Sequence, residues 1–401
     1  MSYKIGFWSV FALVMGNQIG SAAFMLPSIL VPYGVLSLGG WCISGLGAIS
    51  LAFVFGKLCE WFPKTGGPHV YTIAAFGKSV GFFVGWVYWI SCWICTTAII
   101  VTCIGYLTPY FSNSTPVIKL SLELSLLILI TLLNLRGVKA VGHIELVLTL
   151  IKVIPLIILP FSSLFFFSKD NFVVITSTQH TTVQILHTTA LITFWGFIGL
   201  ESATTPAEIV ENAPKTIPRA IITGTICVAF IYLFNSIAIM GIVPKKDLII
   251  SQAPYADAAH IIFGGNWYFI MSFLALITCA CTINACILSC GQISLGLSQD
   301  GFISKLFTKK NQYEAPFYGL LVSFLGITIL LISTSQENLL HQMNLIINFS
   351  VFSFLFIYSI CSMAFLKLLM RQQKKFFCWF LYGITAFLFC GWIIYHTIIN
   401  P

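Results

Sequence analysis

A chain of 401 residues that is 58% hydrophobic and only 8% charged, with a mean hydropathy of +0.96, is excluded from the water-soluble folds, whose domains carry about 25% charged residues. Its formal net charge of +8 invites a nucleic-acid partner, but the basic residues sit between long apolar runs, a placement that rejects nucleic acid. What remains is a single polytopic membrane domain over residues 1–401, with the lipid bilayer as its solvent and no linker to a soluble domain.

Eleven apolar segments reach the ~20 residues needed to cross a ~30 Å hydrocarbon core. Their centres fall near residues 20, 48, 95, 125, 155, 198, 231, 280, 325, 355 and 387, which predicts an all-α polytopic membrane protein. The first segment, about Phe7 to Val35, follows Lys4 and contains a cleavage-like "GSAAF". It is longer than the apolar region of a signal peptide, and no soluble domain follows it.

That first segment is interrupted by "MGNQIGSAAF", Met15 to Phe24. Backbone groups freed by such a break find no water in hydrocarbon, so the break must face protein or a wet cavity. The amides that open the second half-helix form a positive dipole end, suited to a carboxylate. A glycine-rich packing face is the competing reading of the same residues. The sixth segment, near Thr188 to Ile209, is interrupted by "WGFIGLESATT". Paired breaks in the two halves of one membrane chain point to a midplane solute site in a secondary transporter. Glu201 lies in the second break. An acid at membrane depth costs about 2.5–3.5 kcal/mol or more, so it is expected to face a cavity with a task in gating or proton response; the competing reading sets it nearer the cytoplasmic edge, where it only caps or pairs. Trp195 is read as a gate over the solute or as plain packing.

Between the breaks, the third span holds Tyr88, Trp89, Ser91, Cys92, Trp93, Thr96 and Thr97 well inside the apolar run, where packing or pocket lining is preferred over interfacial anchoring. Glu123 and Glu145 are expected to make structural contacts, Glu145 near the cytoplasmic interface beside Arg136 or Lys139. Polar residues of the eighth span (Thr282, Asn284, Ser289, Gln292) and the tenth (Asn344, Asn348, Ser350, Ser353) either bond other helices or touch a ligand. The thirteen cysteines lie mostly in apolar spans, where a thiol behaves as a small hydrophobe. Neither a metal site nor a cofactor nor a catalytic nucleophile is expected from any spacing of Cys, His, Asp or Glu.

With a cytoplasmic N-terminus, sixteen basic residues, Lys152 among them, fall on the cytoplasmic side. Only Lys119, Lys169, Lys245 and Lys246 fall opposite. This positive-inside bias supports the cytoplasmic N-terminus, and an odd span number puts the C-terminus outside; a plasma (inner) membrane is the expected setting.

"GNQIGSAAFMLP", "GGPHVY…FGKSVGFFVGWVYWISCWI", "FWGFIGLESATTPAEIVENAPKTIPRAI" and "SQDGFISKLF…AP" run in one order over some 300 residues. Together they resemble the amino acid/polyamine/organocation transporters, and among them the bacterial arginine/agmatine and basic amino acid/polyamine antiporters. The resemblance implies a LeuT-like fold with helices one and six broken. Two inverted five-helix repeats would cover about 7–167 and 185–370, with an extra helix at about 376–397. It implies substrate positions at Asn17, Ile19, Gly20, Ser21, Ala22, Ser91, Cys92, Thr96, Trp195, Ile198, Cys286 and Asn348, and gate or proton-sensing positions at Glu201, Tyr88 and Trp195. It also implies a homodimer. The chain departs from the pattern in four places. Ala22 stands in a Gly-Ser-Ala where the arginine antiporters have Gly-Ser-Gly. Thr96 replaces an asparagine, and Cys286 replaces a tryptophan that contacts the guanidinium tail. A twelfth span is missing, which would alter or abolish the dimer interface. The implied activity is antiport of an amino acid against a related amino acid or amine, with proton-coupled symport and a transport-inactive sensor as rivals.

Overall fold

The computed structural model describes residues 4–107, 110, 115–172, 181–251, 253–335, 339–372 and 376–399. Fifteen α-helices are formed among them: α1 (Phe7–Gln18), α2 (Ser21–Leu30), α3 (Leu36–Trp61), α4 (Pro68–Phe76), α5 (Lys78–Gly105), α6 (Pro116–Asn134), α7 (Val138–Ser163), α8 (Thr182–Phe194), α9 (Ala213–Ile242), α10 (Lys245–Ile250), α11 (Pro254–Phe263), α12 (Trp267–Gln299), α13 (Phe317–Thr334), α14 (Leu339–Gln372) and α15 (Phe376–Ile399). Eleven segments among the described residues are long and apolar enough to cross a bilayer, and they coincide with the eleven expected from sequence.

Local chemistry sets the starts. Thr115 accepts from the Ile118 amide ahead of Pro116, the first residue of α6, a position where a missing N–H costs nothing. Thr181 and Gln184 form a capping box on α8. Gly77 and Gly137, both at positive φ, turn the chain into α5 and α7.

Burial separates core from rim. In the most apolar stretch of the first and third spans 78% of residues are buried, against 17% in the fourth and 28% in the ninth and eleventh. The rim helices turn Leu129, Leu132, Ile329 and Leu388 outward, as a helix in lipid must. Inside, α3 packs on α8 and α9, α12 lies against α5, α7 and α1, and α14 lies against α5 and α4.

Both breaks are present. The first span stops at Gln18 and restarts at Ser21. Ile19 and Gly20 leave helical geometry between them, at φ/ψ of −79°/89° and −128°/−138°. The sixth span ends its α-helix at Phe194 and continues as 3-10 turns at Trp195–Phe197, Ser202–Thr204 and Ala207–Ile209, not as a second α-helical half. Gly199 at φ +93°, the β-branched Thr204 and Thr205 and then Pro206 each disfavour α-helix there. The N-terminal segment ties the two broken spans together: the Ile5 amide donates to Ile209 O at 2.9 Å and the Glu211 amide to Ile5 O at 3.0 Å.

Candidate functional site

Breaking α1 exposes carbonyls that would otherwise be bonded within the helix, and a buried carbonyl needs a donor. Each finds one on a different helix. Lys152 Nζ of α7 donates to Gly16 O and Ile19 O, both at 2.9 Å. Thr282 Oγ1 of α12 lies 2.9 Å from Gly16 O and 3.0 Å from Ile19 O. Tyr232 of α9 donates its hydroxyl to Gln18 O at 2.6 Å.

Lys152 is fully buried, midway along α7. This corrects the charge count, which then stands at fifteen basic residues against four. Its charge is shared with Glu145, one of the few buried acids. Lys152 Nζ reaches Cys281 Sγ at 3.4 Å, and that thiol donates to Glu145 Oε1 at 3.0 Å. Asn284 Nδ2 donates to Glu145 Oε2 at 2.9 Å. Glu145 is therefore no interfacial acid neutralised by Arg136 or Lys139. It is fully buried, and a Cβ on Gly16 would lie 1.7 Å from its Oε1, so glycine at 16 is what admits it behind the break.

The second break meets the first directly. Asn17 Nδ2 donates to Gly199 O at 3.4 Å, and the Gly199 amide donates to the Tyr358 hydroxyl at 3.2 Å. Two residues on, Glu201 accepts from Tyr88 of α5 at 2.8 Å through Oε1 and from Tyr358 of α14 through Oε2. One carboxylate thus ties the third, sixth and tenth spans. A side chain at 199 is excluded twice, by the positive φ and by Asn17 Nδ2 lying 2.2 Å from where its Cβ would be. Strain of this kind costs about 1–3 kcal/mol. Gly199→Ala is expected to part the two breaks and lower solute exchange in proteoliposomes by about tenfold or more, while the protein still elutes as a single species in detergent.

Between the breaks lies a cavity of about 30 Å³, measured to the centre of a water-sized sphere, room for about two waters. A cavity of that size holds no amino acid, and a solute fits only as the lining moves apart. Of the residues expected at a substrate or gate position, Asn17, Gly20, Ser21, Ala22, Tyr88, Cys92, Trp195, Ile198, Glu201 and Cys286 line it. Ile19 does not; its side chain is buried and its carbonyl is spent on Lys152 and Thr282. Ser91 and Thr96 do not either. Their hydroxyls turn back to Val87 O at 2.7 Å and Cys92 O at 2.6 Å, the i−4 bond that Ser and Thr make inside helices. The side chain of Asn348 lies outside the described residues. Gln18, Cys95, Ile99, Gly199, Thr282, Ser289 and Phe354 complete the lining. Of these, Gln18 and Gly199 lie in the two interrupted motifs, and Thr282 and Ser289 carried a signal as polar groups on an apolar helix.

A buried cavity walled by two interrupted spans, with the first turn of α2 presenting amides that have no partner within their own helix, defines a membrane carrier of the broken-helix class. The chain belongs to the amino acid permease family, whose family model matches residues 5–401; it is a family of transporters, not enzymes. The chain is 29% identical over 372 residues to the putrescine transporter PotE of Escherichia coli, covering 92% of this chain and 84% of the relative. It is 27% identical over 407 residues to a putative arginine/ornithine antiporter of Bacillus subtilis, with 92% and 85% covered. It is also 27% identical over 338 residues to the cadaverine/lysine antiporter of Escherichia coli, with 84% and 76% covered.

Proposed function

We propose that this chain is a secondary active permease that exchanges an amino acid for a related amino acid or amine by alternating access. The observation that carries the reading is the meeting of both broken spans at one cavity, through Asn17 and Gly199. Amides of Ser21 and Ala22 would hold the solute carboxylate at the start of α2. Trp195, Ile198 and Tyr88 would close over it, and Cys92 and Cys286 would face its side chain. The two inverted repeats would span about 7–167 and 185–370, each contributing one break. Glu201 is the proposed proton-responsive group. Sixteen basic residues less the buried Lys152 still favour a cytoplasmic N-terminus, an external C-terminus and a plasma (inner) membrane setting. A homodimer is the proposed assembly. Coupling needs no bond chemistry: a solute that binds the outward- and inward-open states unequally is enough to drive the exchange.

Counterflow in proteoliposomes tests this. Vesicles preloaded with one amino acid or amine are expected to accumulate labelled solute without a pH gradient; uptake that demands a pH gradient and no internal solute would make the protein a symporter. Trp195→Ala should weaken counterflow well beyond Trp89→Ala, because Trp195 lines the cavity whereas Trp89 donates its indole N–H to Ser323 of α13 at 3.0 Å. Equal effects would remove Trp195 from the gate.

A further inference from the structure

We propose that the transported solute is an α-amino acid whose side chain is uncharged, aliphatic or sulfur-containing, and that a second cationic group is rejected. This deepens the permease reading and rests on it. The cavity offers one anionic group, Glu201, among its described lining residues. That carboxylate balances one ammonium, the α-amino group of an amino acid, while the amides opening α2 take the carboxylate. A lysine, ornithine, arginine or diamine brings one cation more.

The remaining described wall holds no second acid to balance it, only neutral acceptors at Gln18, Thr282 and Ser289. Cys92 and Cys95 of α5 face Cys290 and Cys286 of α12. Cys286 also donates to Asn17 Oδ1 at 3.0 Å. What the thiols Cys92, Cys95 and Cys286 show a solute is soft, weakly hydrogen-bonding sulfur beside Ile99 and Phe354. An aromatic face returns about thirtyfold in binding to a desolvated cation laid over it. An unpaired charge in such a site costs about a hundredfold or more. The deficit decides against the cation.

Isosteric pairs measure this on the unmodified protein. Norleucine and ornithine differ only in a terminal methyl group against an ammonium, as do 2-aminoheptanoic acid and lysine. Proteoliposomes loaded with each, alongside leucine, methionine, arginine and putrescine, report counterflow. The neutral member of each pair is expected to exchange about a hundredfold more efficiently than its cationic isostere. Equal or better exchange of lysine, ornithine or putrescine overturns the inference and leaves the permease reading standing. Counterflow with none of them overturns both. As a second arm, Cys286→Asp places an acid in the thiol wall and should move the ornithine-to-norleucine ratio toward ornithine by about tenfold or more. An unchanged ratio in a variant that still exchanges norleucine counts against the wall as the selective element.

Discussion

Lys152→Met is expected to abolish exchange and to be among the most destabilising single changes in the chain. The ammonium is fully buried and holds the two carbonyls, Gly16 O and Ile19 O, at which the first span stops being a helix. Methionine fills the volume but donates nothing. Thr282, with a single hydroxyl proton, cannot serve both carbonyls. Glu145 meanwhile keeps its place behind Gly16 with no cation opposite. Breaking a buried charge pair by removing one partner costs about 3–5 kcal/mol, because the other charge is left uncompensated. Thermal unfolding in detergent should show the loss as a lowered midpoint, and proteoliposomes should show no counterflow. The companion measurement separates charge from shape. Glu145→Gln joined to Lys152→Met removes both charges, and should unfold at a higher midpoint than Lys152→Met alone. If the double variant is as unstable as the single one, the thiol-bridged pair through Cys281 is not what the lysine provides. Restored folding without restored transport would place the lysine's function at the carbonyls of the break.

The outcome at Lys152 also shows where sequence reasoning reaches its end. The eleven spans are legible because hydrocarbon imposes length and apolarity on every crossing, and the breaks are legible because Gly16, Asn17, Gly20 and Gly199 are costly in a membrane helix that stays a helix. A cation is harder to place. Counting charges by side assigns Lys152 to the cytoplasmic edge, although it stands within "LVLTLIKVIPLIILP", an apolar run that is itself the signature of a buried lysine. Glu145 fails for the same reason: its partners Cys281 and Asn284 come from a helix more than a hundred residues away. Tyr358 is likewise invisible as the second donor to Glu201. Ser91 and Thr96 fail differently. Residue type suggests ligand contact, but a hydroxyl in a helix has its own i−4 carbonyl in reach, and here both take it. The thiol wall is the reverse case. Each cysteine reads singly as a small hydrophobe, which is correct, and only the antiparallel facing of α5 and α12 brings Cys92, Cys95 and Cys286 onto one cavity surface.

Glu201→Gln is expected to flatten the pH dependence of exchange. As a carboxylate, Glu201 accepts from Tyr88 and Tyr358 together and so holds the sixth span against the third and tenth. Protonation turns one of its oxygens into a donor, and a tyrosine hydroxyl that was donating to it must turn away or become an acceptor. One of the two ties then weakens, and the wall carrying Trp195 can move. The sign follows: the tie is complete at high pH and is lost as pH falls, so exchange by the native protein rises toward acid. Glutamine has one carbonyl oxygen and an amide that donates, which fixes the protonated pattern at every pH. The variant should exchange at a rate that no longer responds across the range where the native protein does. Tyr358→Phe is the control. It removes one donor and keeps the titrating acid, so exchange changes in rate yet still follows pH. A native pH profile in Glu201→Gln would move proton response to another group, and the buried Glu145 beside Lys152 would be the next to test.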